Sequence, residues 1–337
     1  GVLQEGRARR SAREARRRRA RRRRRIRDAV LTLAVGLVAL LLFMAPSITD
    51  TGSSSHGAVP PGGSPTAKAT PLKTAPPHNT YLLKQAPRTL RVKLKPQPTA
   101  GLVFDIRTGR VLWARDTTQR LPIASLTKMM TALVVVAHSK PSDQVMITRA
   151  ATHFSGSGVG MLPFGKKVPL EDLLYGLLLP SGNDAAIALA QHVAGTQQRF
   201  VTMMNAQAAR MGLGCTHFST VSGIVDLGNY SCANDLAVIA HAVLVQPSLR
   251  KIVATSSTEF PFPIKRHKLF LYNNNPLMHL RYPGADGVKT GYTTLSGLCI
   301  VGAARRGSKW YGVVLLHTPD WGTQAEQLLN AAFSAKV

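Results

Sequence analysis

Pro122-Ile123-Ala124-Ser125-Leu126-Thr127-Lys128-Met129-Met130-Thr131-Ala132-Leu133 opens a run that continues to His138. Met129, Leu133 and Val136 recur at helical spacing, and Pro122 stands just ahead of the first turn. Residues three apart share a helix face, so Ser125 and Lys128 meet. Ser125 falls in the first turn, where unpaired N–H groups and the helix dipole favour negative charge. A serine hydroxyl is a weak nucleophile until a base takes its proton. Lysine is that base only when burial or a nearby cation lowers its pKa from about 10.4.

Outward from this helix, residues 100–106 and 110–114 are β-prone and joined by Arg107-Thr108-Gly109, a hairpin signal. Downstream, helical patterns cover residues 170–179, 184–194, 197–211 and 234–245. Gly195 and Gly212 close two of these patterns and Pro247 follows the last. Strand patterns return at 287–289, 298–303 and 311–316, with Gly307-Ser308 as a turn, before a final helix at 321–335. Strands, helices, strands, helix is the order of an α/β protein of the α+β kind. Its sheet draws on both chain ends, with a helical insertion between them.

Two further motifs follow the Ser125–Lys128 pair. Ser181-Gly182-Asn183 comes after an apolar helix and Pro180, and offers a hydroxyl and an amide that could relay a proton and hold a substrate amide. Lys289-Thr290-Gly291 lies on a strand and offers a cation, a hydroxyl and a small residue that admits close backbone approach. Singly, each is ordinary: a capping serine with a solvated lysine, a turn, a strand end. In this order, on helix, loop and strand, they match a known catalytic set.

The sequence resembles the serine D-alanyl-D-alanine carboxypeptidases, the low-molecular-mass penicillin-binding proteins of the S11 peptidase kind. The resemblance rests on residues 122–133, on Leu170-Glu171-Asp172-Leu173-Leu174-Tyr175-Gly176-Leu177-Leu178-Leu179-Pro180-Ser181-Gly182-Asn183-Asp184-Ala185-Ala186, and on Asp286-Gly287-Val288-Lys289-Thr290-Gly291-Tyr292-Thr293. It implies a β-lactamase/transpeptidase-like fold, an antiparallel sheet flanked by helices. It implies that Ser125 attacks the carbonyl between two D-alanines of a peptidoglycan stem peptide and that Lys128 accepts its proton. Ser181 and Asn183 would relay protons and position substrate. Lys289 would supply positive potential, and Thr290 would bind the terminal carboxylate. Beside Gly291, the N–H groups of Ser125 and Tyr292 would form the oxyanion hole. β-Lactams would trap Ser125, and neither metal nor cofactor is implied.

The sequence also departs from that family. Some relatives carry an arginine where this chain has Asn274, and many carry a second, β-rich domain; about 20 residues follow Leu316 here. Ser231-Cys232 stands where Ser-Thr is common, and Cys232 is the poorer helix N-cap, with Ser231 a candidate to compensate. Cys215, Cys232 and Cys299 lack metal-site spacing. They read as buried thiols, or as a Cys215–Cys232 disulfide outside the membrane. A β-lactamase on the same fold is one rival function, but Asp226, Asp235 and Glu259 lack the Glu-x-x-Leu-Asn context of a class A deacylation base. A non-catalytic wall-binding protein is another; the intact motifs oppose it.

The net charge of +27 is partly a tail: residues 1–28 carry +11 of it. Residues 1–28 hold 14 arginines against three acids. Residues 29–45 are apolar except for Thr32 and, as a helix of about 26 Å, near the lower limit for a membrane span. The arginine flank predicts a cytoplasmic amino end. The run reads as an uncleaved anchor in preference to a signal segment, with the tail on anionic lipid. No nucleic-acid partner is expected, because the tail has no interleaved aromatics or module signature. Residues 46–98 hold ten of the 21 prolines and read as a cationic linker. Residues 99–337 then form the catalytic domain, placed outside the cytoplasm and secreted if the apolar run is cleaved.

Overall fold

The structure is a computed structural model that describes residues 81–85, 90–160, 162–224, 228–261 and 268–335. The tail and the apolar run at 29–45 lie outside these residues. The strands are β1 (Lys84–Gln85), β2 (Ala100–Asp105), β3 (Arg110–Arg115), β4 (Leu121–Pro122), β5 (Gln144–Met146) and β6 (Lys167–Pro169), then β7 (Tyr230–Ser231), β8 (Ser257–Pro261), β9 (Lys268–Tyr272), β10 (Ala285–Thr293), β11 (Gly297–Arg306) and β12 (Lys309–Thr318). Six form the main sheet in the order β1-β3-β2-β12-β11-β10. Only the β1–β3 pair is parallel. The early hairpin and the late strands meet along β2 and β12, where Ala100 pairs with Leu316 and Asp105 with Tyr311.

Strand periodicity sends alternate side chains to opposite faces. Leu102, Phe104, Val301 and Val314 face the larger core, where the helical insertion packs. Val103, Ile300, Val313 and Leu315 face the other side, covered by the last helix, Trp321–Ser334, through Leu328 and Leu329. Phe104 and these leucines are fully buried. Burial of each such side chain contributes about 1.5–3 kcal/mol. The helix Lys128–His138 is apolar nearly all round and lies in the middle of the insertion, as such a pattern requires. The helix Asn183–Ala194 closes at Gly195 with φ +75°, a left-handed stop.

Several elements differ from the sequence expectation. The folded body begins before Thr99. Lys84 and Gln85 pair with Arg110 and Val111. The Tyr81 ring stacks on His241 at 3.6 Å and its hydroxyl donates to Asp105 O. Leu94 is buried, and Gln324 Nε2 donates to Pro96 O. A linker assignment reaching to 98 therefore overshoots: besides the backbone pairing, Leu90, Val92 and Leu94 alternate with charged residues and pack against the core under the last helix. Pro247 does more than follow a helix: it begins another, Pro247–Val253, where its missing N–H costs nothing. The short pairs β4–β7, β5–β6 and β8–β9 were also not expected.

Cys215 and Cys232 form a disulfide with their Cα atoms 5.6 Å apart. Cys232 is the N-cap of helix Ala233–Val245 and makes no side-chain cap bond. Ser231 does not compensate, since its hydroxyl bonds Thr216 Oγ1. Asp235 in the first turn instead accepts from Cys215 N and Thr216 Oγ1. No single helix among the described residues is long and apolar enough to cross a membrane. The bent pair Ala233–Val245 and Pro247–Val253, at 103°, packs its apolar side chains into the core.

Candidate active site

Ser125 is carried on a 3₁₀ turn, Ala124–Thr127, that runs directly into the helix starting at Lys128. Ala124 has φ +47°, a left-handed conformation that a non-glycine residue adopts at a cost. Two glycines pack closely against the turn. A Cβ on Gly291 would lie 2.7 Å from Ile123 O and 3.0 Å from Ser125 N. A Cβ on Gly223 would overlap Ala124 O. Gly291 therefore admits the turn of its own chain, where the sequence reading had a ligand approaching the backbone.

Lys128 is fully buried. Its Nζ lies 2.8 Å from Ser125 Oγ, 2.7 Å from Asn183 Oδ1 and 2.8 Å from Ser222 O. Three oxygens thus surround the amine, one of them the Ser125 hydroxyl. Burial, and then the charge of Lys289, push the Lys128 pKa well below its ordinary value; Asp184 opposes them. This is the environment in which an amine is neutral and able to accept a proton.

Asn183 opens the helix Asn183–Ala194. Its Nδ2 donates to Ser155 O and its N to Ser157 O, which leaves Oδ1 for Lys128. Ser181 is buried with φ +70°, and its Oγ has no hydrogen-bond partner among the described residues. Its hydroxyl is thus left for an incoming group.

Lys289 and Thr290 are buried on β10, and the Tyr292 side chain is exposed. Lys289 Nζ donates to Thr290 O at 2.9 Å, and burial lowers its pKa to about 7. Asn274 holds the approach to Ser181: its N donates to Leu179 O and its Nδ2 to Pro180 O.

All three motifs therefore converge on one site. Sequence reasoning missed its fourth wall, the loop through Ser222 and Gly223. That loop reaches Lys128 through a backbone carbonyl, which has no sequence signature; the Ser-Gly pair was its only trace. Thr131 Oγ1 pins the same loop by donating to Val221 O. The Ser155–Val159 loop and Asp184 were missed likewise. Among the described residues, Cys215, Cys232 and Asp235 are close enough together to suggest an ion site, but the two sulfurs are bonded to each other.

An antiparallel sheet between a helical insertion and a terminal helix, with a serine–lysine pair where the sheet meets the insertion, is the architecture of the penicillin-binding serine peptidases. Residues 92–319 match the family model described as D-alanyl-D-alanine carboxypeptidase, Peptidase_S11, and the chain belongs to that family of serine-type carboxypeptidases. It is 38% identical over 241 residues to the D-alanyl-D-alanine carboxypeptidase DacB2 of Mycobacterium tuberculosis, covering 69% of this chain and 81% of that protein. It is 32% identical over 250 residues to DacF of Bacillus subtilis, covering 72% of this chain and 64% of DacF. Among solved structures it is similar to a point mutant of the Streptomyces K15 DD-transpeptidase. The TM-score is 0.68 and the identity 31%, over 72% of this chain and 100% of that one.

Proposed function

We propose that the protein removes the terminal D-alanine from peptidoglycan stem peptides ending in D-Ala-D-Ala, through an acyl-enzyme on Ser125. The observation that carries this reading is the buried Lys128 Nζ, 2.8 Å from Ser125 Oγ, with its pKa pushed well down. Lys128 takes the hydroxyl proton as Ser125 Oγ attacks the carbonyl carbon of the penultimate D-alanine. The N–H groups of Ser125 and Tyr292 stabilise the resulting oxyanion. Lys289 and Thr290 receive the terminal carboxylate, and its charge restores a proton to Lys289. Ser181 passes the proton from Lys128 to the departing D-alanine nitrogen, and Asn183 holds Lys128 and the substrate amide. Water then releases the shortened peptide.

β-Lactams present a carboxylate and an amide carbonyl in similar relation and acylate the same serine. Rapid β-lactam turnover is not supported. Glu259 pairs with Lys268 on an exposed hairpin, and Asp235 is held by Cys215 N and Thr216. The anchor belongs to the same proposal: residues 29–45 sit in the membrane, with the catalytic part outside the cytoplasm. Mass spectrometry after exposure to benzylpenicillin tests the assignment. The adduct is expected on Ser125, with D-alanine released from a D-Ala-D-Ala peptide. An adduct on another residue, or none, refutes it.

A further inference from the structure

Asp184 follows Asn183 in sequence and is fully buried, yet none of the three motifs includes it. Its two oxygens accept from Val159 N at 3.1 and 2.9 Å, and Oδ1 also accepts from Ala185 N at 2.8 Å. Both oxygens face donors, an arrangement that suits the ionised carboxylate. Through Val159 this side chain closes a loop that touches Asn183 twice more, at Ser155 O and Ser157 O. The Asn183 amide is thereby turned so that Oδ1 meets Lys128 Nζ.

The charges around Lys128 are few. Lys289 approaches from β10 and Asp184 from the helix Asn183–Ala194, whereas the Ser222 loop contributes a backbone carbonyl. Burial raises the Asp184 carboxyl pKa, while its N–H donors and Lys128 hold it down.

We propose that Asp184 is a positioning residue for acylation: it clamps the Ser155–Val159 loop across the Ser181–Asn183 turn, orients Asn183 toward Lys128, and sets a negative charge against the buried Lys128. The proposal rests on the reading of Lys128 as the base. Its signature is electrostatic. Without that negative charge Lys128 loses its proton at lower pH, so acylation switches on at lower pH, although the base is weaker and less well held.

The test is the pseudo-first-order acylation rate of the full chain by excess fluorescent penicillin, measured against pH. Excess label makes the rate constant report only the folded fraction. D184N is expected to move the rising limb down by about half a pH unit or more. It is also expected to lower the high-pH plateau about tenfold or more. D184S, smaller and also neutral, is the second variant. The two differ in how they pack but remove the same charge, so both limbs should move together. An unmoved limb in either acylable variant, or loss of every acylable fraction in both, overturns the proposal in favour of a purely structural carboxylate. Wild-type protein that takes no label on Ser125 would instead overturn the reading of the site itself.

Discussion

Replacing Lys289 by methionine is expected to stabilise the fold while weakening the enzyme. Methionine matches the stem in length and lacks the amine. In the folded protein the amine is buried and its pKa is lowered to about 7 from 10.5. The sign follows from linkage: the unfolded chain binds the proton more tightly, so protonation favours unfolding. The penalty is complete below pH 7, shrinks as pH rises, and vanishes above 10.5. A difference of three to four units at about 1.4 kcal/mol each is about 5 kcal/mol. Loss of the bond to Thr290 O returns about 1 kcal/mol. The net gain at pH 6 is therefore about 4 kcal/mol, or roughly 10 °C in Tm for a domain of this size. Thermal unfolding of K289M and wild type at pH 6 and pH 9.5 measures it, and the gap should narrow sharply at the higher pH. A variant no more stable at pH 6, or a gap independent of pH, would refute the reasoning. Penicillin acylation should fall in the same variant, because the cation that meets the carboxylate is gone.

Lys128→Ala should lower acylation by about 10²–10⁴-fold or more, whereas in wild type the rate should rise with pH as Lys128 deprotonates; stopped-flow labelling measures both. Lys289→Arg retains a cation of different shape and should acylate more slowly than wild type but faster than Lys128→Ala in the same assay. Gly223→Ala combines φ +74° with a Cβ that overlaps Ala124 O, so it should cost several kcal/mol and most penicillin labelling, as read by urea unfolding and gel fluorescence. Reducing the Cys215–Cys232 bridge, which links residues 17 apart, should lower stability by about 3 kcal/mol in a denaturant titration with and without dithiothreitol.

The parts of the site visible in the sequence are those with a local geometric rule behind them. Ser125 and Lys128 meet because three residues along a helical turn return to one face, and that spacing is written in the chain. Lys289 to Tyr292 could be placed on a strand from the β-prone run around them. Ser222 could not be placed, because its contribution is a carbonyl common to every residue. Asp184 stood in the stretch that carries the family resemblance but without a role, since nothing local announces that it binds Val159 N, 25 residues away. The Cys215–Cys232 pairing stayed open because a sequence interval does not fix a distance in space. The described residues between Tyr81 and Pro98 looked like a linker because their one apolar alternation, Leu90, Val92 and Leu94, is only three residues long and set among prolines and lysines, while the rest is held by two residues of strand, one stacked ring and isolated backbone bonds.

The pairing of Ala100 with Leu316 has a consequence for how the protein is made. Synthesis delivers β2 and β3 long before β12, the strand against which β2 must lie. The Ser125 turn is likewise made some 160 residues before Gly291, which packs against it. Such distant pairing is slow to form and leaves an open sheet edge in the meantime. A nascent chain that has not released β10–β12 therefore has no assembled catalytic centre. On the proposed reading such a chain should take no penicillin, and its β2 edge stays open until the last strands close the sheet.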